Sequence, residues 1–173
     1  MNSSKMKCFS ILIILLSFAC KAKSQTDSID TAHNALYLEA GGPGSVGSLN
    51  YERILPLKPN FNLGLRIGIS TYNLKDFTDK FNPDFISPIS INGLYGGQHK
   101  VEFGLGTAVT SIVQANPSNF QPDRNLHLHA NVTIGYRYQK EEGGLLFRIS
   151  YTPIIEFYKN FRHWAGASVG YVF

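Results

Sequence analysis

Three arginines, three glutamates and two closely spaced histidines are the residues of this chain whose types and spacing could carry chemistry. Glu39, Glu52, Arg66, Glu102, Arg137 and Arg148 sit at alternate positions in runs that are otherwise small and polar. If those runs are strands, all six side chains project to one side. A buried ion without a partner is very costly, so equal numbers of each sign point to a network that neutralises itself. Arginine suits this better than lysine, because its planar fork bridges two carboxylates. Gly64, Gly68, Gly104, Gly106 and Gly135 fall on the same side and leave room for long side chains. The expected role is a structural plug. A gated ion or proton path is the functional alternative.

His127 and His129 share one face of a strand near its outer end, and His163 opens the last extended run. A metal site needs a third or fourth ligand, and the spacing supplies none. Asn131-Val132-Thr133 matches the glycosylation sequon but falls mid-strand on the inward face, so it reads as chance. No G-x-S-x-G, H-E-x-x-H, phosphate loop or C-x-x-C occurs. The expectation is a protein with no catalytic residues, no cofactor and no metal.

The elements that must hold these residues are strands, because hydrophobicity alternates with period two. Phe61, Leu63, Leu65, Ile67 and Ile69 alternate with Asn62, Gly64, Arg66, Gly68 and Ser70. Similar alternation covers 101–109, 126–139, 145–152 and 165–173, and weaker strands are expected over 35–41, 46–54 and 86–96. The total is eight. Pro88 is expected near a strand end or an edge, because it cannot donate to the ladder.

Volume decides which face is outside. About thirty large apolar side chains lie on the apolar faces, and an eight-stranded barrel has an interior only just wide enough for side chains to fill. The apolar face must therefore point outward, with the small polar face lining the lumen. With both termini placed in the periplasm, Tyr51, Phe61, Tyr95, Phe103, Tyr136, Tyr138, Phe147, Tyr171 and Phe173 all fall outward near that rim. This is the pattern of an interfacial aromatic girdle. Short periplasmic turns are expected at Gly97-Gln98 and Glu141–Gly144, with a longer link over Pro56–Asn60. The longest outer connections are expected at 73–85 and 114–124, and a short one at Gly42-Pro43-Gly44. Phe77, Phe81, Phe85, Phe120, Phe157, Tyr158, Phe161 and Trp164, with Lys75, Lys80, Lys159 and Arg162, populate the outer loops. They suit an outer girdle with loop caps; binding of lipopolysaccharide phosphates or a surface partner is the alternative.

The N-terminus reads as a secretion signal. Lys5 and Lys7 precede the apolar run Cys8 to Cys20, about thirteen residues and too short for a membrane helix. Ala22-Lys23-Ser24 presents small residues at −3 and −1, so cleavage is expected after Ser24. Lipoprotein processing at Cys20 is the alternative. Four of the sixteen basic residues (Lys5, Lys7, Lys21 and Lys23) precede the cut, leaving twelve against twelve acidic ones. The formal charge of +4 thus belongs to the leader and gives no support to a nucleic-acid partner. Both cysteines also lie in the leader, so no disulfide is expected afterwards.

These features resemble the small eight-stranded outer-membrane β-barrel superfamily that includes OmpA-like and OmpX-like proteins. The residues that carry the resemblance are SLNYER at 48–53, GYRYQ at 135–139 and the terminal SVGYVF ending in Phe173. The aromatics at 171 and 173 resemble the signal read by the barrel-insertion machinery, with Ser168 where that signal usually has Gly. The resemblance implies outer-membrane insertion but no shared activity. The expected organisation is a signal peptide over 1–24, a short periplasmic segment over 25–34 and an all-β, up-and-down transmembrane barrel over 35–173. Outer-membrane lipid, lipopolysaccharide and the insertion machinery are the expected partners of a monomer. A lipid A-modifying enzyme and a soluble lipocalin-like carrier are the alternatives. Deacylase-type barrels place a His and a Ser two apart, and here the second position is His129.

Overall fold

The computed structural model describes residues 32–117, 120–155 and 161–173, so the expected signal peptide lies outside the described residues. The chain forms strands β1 (Asn34–Gly41), β2 (Gly47–Lys58), β3 (Phe61–Ser70), β4 (Phe85–Gly96), β5 (His99–Ala115), β6 (Pro122–Gln139), β7 (Gly144–Tyr151), β8 (Ile154–Ile155), β9 (Phe161–Arg162) and β10 (Ala165–Val172). Strands β1 to β7 each pair antiparallel with the next, β7 pairs with β10, and β1 pairs with β10 from Ala35↔Val172 to Gly41↔Gly166. That last ladder closes the sheet. A closed sheet has no free edge strand. Strand β8 continues β7 against β6, with Asn131 opposite Ile154, and β9 pairs with β8. The barrel thus has eight walls, the last two interrupted near Pro153 and His163. Across that break the Thr152 amide donates to the Trp164 carbonyl at 2.8 Å.

Alternation becomes inside and outside. Leu38, Leu105 and Ile149 are 61%, 69% and 61% exposed on the outer wall. Glu39, Asn92, Glu102 and Arg148 are buried in the lumen.

Four features differ from the sequence expectation. Residues 114–124 are mostly strand: β5 and β6 pair up to Ala115↔Pro122, so this hairpin stands well above the rest of the rim. Beyond Val109 the apolar Ile112 and Val113 are adjacent, one on each face, among polar residues, which breaks the period-two signal while the ladder continues. The Pro56–Asn60 link shrinks to Pro59-Asn60, because β2 runs on to Lys58 through a register shift near Pro56. Pro88 lies inside β4 rather than near an end. Its missing N–H falls where the ladder to β3 is interrupted between Ile67↔Ile89 and Ser70↔Ile86, and the Ser87 hydroxyl donates to the Gly68 carbonyl there at 3.0 Å. Finally, Gly42-Pro43-Gly44 folds into the lumen and is buried. Positive φ at Gly41, Gly42 and Ser45 makes the reversal, and the two glycines reach it without strain.

Candidate functional site

The six charged residues converge in the lumen. Glu39 on β1 accepts from Arg148 Nη1 at 2.6 Å through Oε1, and from Arg66 Nη2 through Oε2. Arg148 Nε reaches on to Glu102 Oε2 at 2.7 Å. Arg66, Glu39, Arg148 and Glu102 therefore form one chain of ion pairs. Glu52 accepts from Arg137 Nη1 at 2.5 Å and from Asn92 Nδ2 at 3.0 Å. The side chains of all six ions have no exposed surface. Charges of both signs, equal in number, leave no net buried charge.

Register explains why Arg137 and Arg148 each seek a carboxylate beyond the immediate neighbour in the ladder. Lys100, Arg137 and Arg148 face each other across β5, β6 and β7, a rung of cations. Like charges opposite one another repel. Glu39 and Arg148 both pair with Ser168 of β10 and so stand two strands apart on one rung, Glu102 reaches Arg148 from β5, and Glu52 on β2 meets Arg137 of β6 from the opposite wall. Lys100, at the end nearest the termini, donates to the Gly96 carbonyl at 3.0 Å.

Glycine opposite these groups is a matter of space. A Cβ on Gly64 would overlap the Glu52 carboxylate, and one on Gly68 would overlap the Asn50 amide. Asn50 Oδ1 in turn accepts from Arg66 Nε at 3.0 Å. Tyr37 sits at the centre: the guanidinium carbons of Arg66, Arg148 and Arg137 lie 5.5, 5.9 and 6.0 Å from its ring centroid. Such contacts are favourable when desolvated.

Sequence reasoning missed Tyr37, Asn50, Asn92 and Lys100. Three carry a readable signal. Tyr37 shares the inward parity of Glu39, Asn50 that of Glu52, and Lys100 that of Glu102.

The histidines do not converge. His127 is exposed at the rim, His129 is half-buried, and their ring centroids are 6.4 Å apart. Among the described residues no third His, Cys, Asp or Glu joins them. His163 Nδ1 lies 2.6 Å from the Tyr151 hydroxyl in the break before β10. On the outer wall Tyr51, Tyr95, Phe103, Tyr136, Phe147, Tyr171 and Phe173 are exposed, while Phe61 and Tyr138 are half-buried. Phe61 stacks on Phe103 at 6.2 Å, and Tyr138 tilts against Phe147 at 6.5 Å. Of the outer-loop aromatics, Phe77, Phe81, Phe85, Phe120 and Trp164 are exposed. Phe157, Tyr158 and Lys159 lie outside the described residues.

No protein-family model matches the chain, and no curated protein matches its sequence. Solved structures do match. The N-terminal β-barrel domain of Pseudomonas aeruginosa OprF aligns over 83% of this chain and 98% of its own, with TM-score 0.55 and 16% identity. The Yersinia pestis outer membrane protein Ail, in a phospholipid bilayer nanodisc, aligns over 82% of this chain and 99% of its own, with TM-score 0.50 and 8% identity. The chain has the fold of the small outer-membrane barrels. At these identities the likeness is one of fold.

Proposed function

We propose that the chain is a non-enzymatic integral outer-membrane barrel with a structural or surface-interaction role, its lumen plugged by the Arg–Glu network. The observation that carries this is the inversion of the usual protein interior: ions inside, leucine and isoleucine outside. An outward apolar wall is stable only in lipid or detergent. The nine aromatics named above serve as its girdle at the periplasmic rim. The surface role rests on a braced outer end: Arg124 on β6 donates to the Ser111 hydroxyl at 3.0 Å, to Asn82 Oδ1 at 2.5 Å and to the Pro83 carbonyl at 3.2 Å. These bonds tie the projecting hairpin to the loop between β3 and β4. Lipid, lipopolysaccharide and, during biogenesis, the insertion machinery are its partners, and it works as a monomer.

Membrane fractionation with a gel-mobility comparison of boiled and unboiled protein tests this reading. The protein should resist extraction by salt, dissolve in detergent and migrate faster unboiled. Planar bilayers should show no steady conductance. A freely water-soluble mature chain would overturn the membrane assignment, and a stable open channel would overturn the plug.

A further inference from the structure

Above the Gly42–Gly44 turn, on the side away from the termini, the lumen holds a chamber of about 260 Å³. The turn is its floor: Gly42 lies against the Glu39 carboxyl, while Pro43 and Ser45 line the chamber. Thr110 of β5, His129 and Asn131 of β6 and Arg162 of β9 line it as well. Asn131 is only 4% exposed, yet neither its Oδ1 nor its Nδ2 has a hydrogen-bond partner among the described residues. The Nδ1 of His129 is buried in the same state. A buried amide left without partners is costly, and native structures seldom keep one without a use for it.

Register sets the span. Asn131 and Arg162 both pair with Ile154, so they stand two strands apart on one rung, about 9.5 Å between backbones. Across that gap one side offers a guanidinium and the other an amide that both donates and accepts. No carboxylate is among the described lining residues. Ile86, Ala108 and Ala130 add an apolar side. The volume is below the roughly 300–1,000 Å³ of pockets for drug-sized ligands.

We propose that this chamber binds a small hydroxycarboxylate. The carboxylate lies against Arg162, because a planar guanidinium matches a carboxylate with two parallel hydrogen bonds. The hydroxyl donates to Asn131 Oδ1 and accepts from Asn131 Nδ2, which satisfies both orphaned atoms. The short carbon skeleton rests on Ile86 and Ala108. The site is independent of the plug: it lies on the other side of the Gly42–Gly44 turn and uses none of the six network ions.

Calorimetric titration of the full refolded barrel in detergent tests the site, with lactate, propane-1,2-diol and inorganic phosphate as probes at matched ionic strength. Lactate should bind saturably, one per barrel. The diol, lacking the carboxylate, and phosphate, lacking the carbon skeleton, should each bind at least about tenfold more weakly. Asn131→Leu removes both amide atoms at similar volume, and Arg162→Gln removes the charge. Each should lower lactate affinity about tenfold or more while keeping the fast-migrating unboiled form. Absence of saturable lactate binding overturns the proposal. So does phosphate or diol binding of equal strength, or undiminished affinity in a folded Asn131→Leu barrel.

Discussion

Arg148 and Glu39 each hold two ionic partners; Arg148 bridges Glu39 at 2.6 Å and Glu102 at 2.7 Å. Arg148→Met would strand Glu102 and leave Glu39 with Arg66 alone, in a site with no exposed surface. The expected loss is about 3–5 kcal/mol, read as a lower urea midpoint for unfolding from lipid vesicles. Replacing a pair together has a different sign of argument. Glu52→Gln with Arg137→Met removes both charges, and the double variant should be more stable than either single variant in the same assay. If the singles and the double proved equal, the 2.5 Å contact would not be an energetic pair. At this scale the sequence was half legible. Which residues face inward followed from parity, but who pairs with whom did not. Arg66 stands directly opposite Glu52 in the ladder and yet turns to Glu39. Such a choice depends on how eight strands stagger around an axis, which no local pattern encodes. Tyr37 was passed over because an inward aromatic among small polar residues looks like an exception rather than a centre.

Elements were read best where one face was apolar. All eight walls were legible over their apolar parts, since alternation there is imposed by two different environments. The outer ends of β5 and β6 were not, because Ile112 and Val113 fall on opposite faces among polar residues and no alternation survives. The buried Gly42–Gly44 turn was recognisable only as a short connection; that it drops into the lumen depends on the space left above Glu39. The connection between β3 and β4 was legible as a loop, and it has an internal organiser. Asp76 Oδ1 accepts from the Thr78 amide at 2.8 Å and its hydroxyl at 2.6 Å, and Asp76 Oδ2 accepts from Asn82 Nδ2 at 3.2 Å. These bonds, the Thr78 hydroxyl foremost, hold the Asp76 carboxyl below the ordinary aspartate value of about 3.9. A carboxyl depressed in the folded state stabilises the turn fully above that ordinary value, and its contribution is lost as pH falls through the lowered one. Amide exchange at Thr78, corrected for intrinsic rates, should therefore show protection that fades only in acid below the normal aspartate range. Asp76→Ala should lower that protection at neutral pH and abolish its acid dependence.

At the scale of the whole molecule, the outer wall is under a constraint the lumen does not share. Leu105 is 69% exposed near the middle of β5. Leu105→Arg would place a cation in hydrocarbon, at an expected cost of about 2–4 kcal/mol in refolding into vesicles. Leu105→Thr should cost far less. Equal tolerance of both would speak against a lipid-facing wall.

The ion chain also bears on how the cylinder is put together. Glu39 and Arg148 are 109 residues apart in sequence, and Glu52 and Arg137 are 85 apart. Their meeting requires β1 to dock on β10. Until the seam zips, Arg66–Glu39 and Arg148–Glu102 can pair on either side of it, but Glu52 and Arg137 lack each other and Glu39 lacks Arg148. Partly assembled forms are therefore penalised, and the last ladder snaps shut together with its electrostatic clasp as one cooperative event.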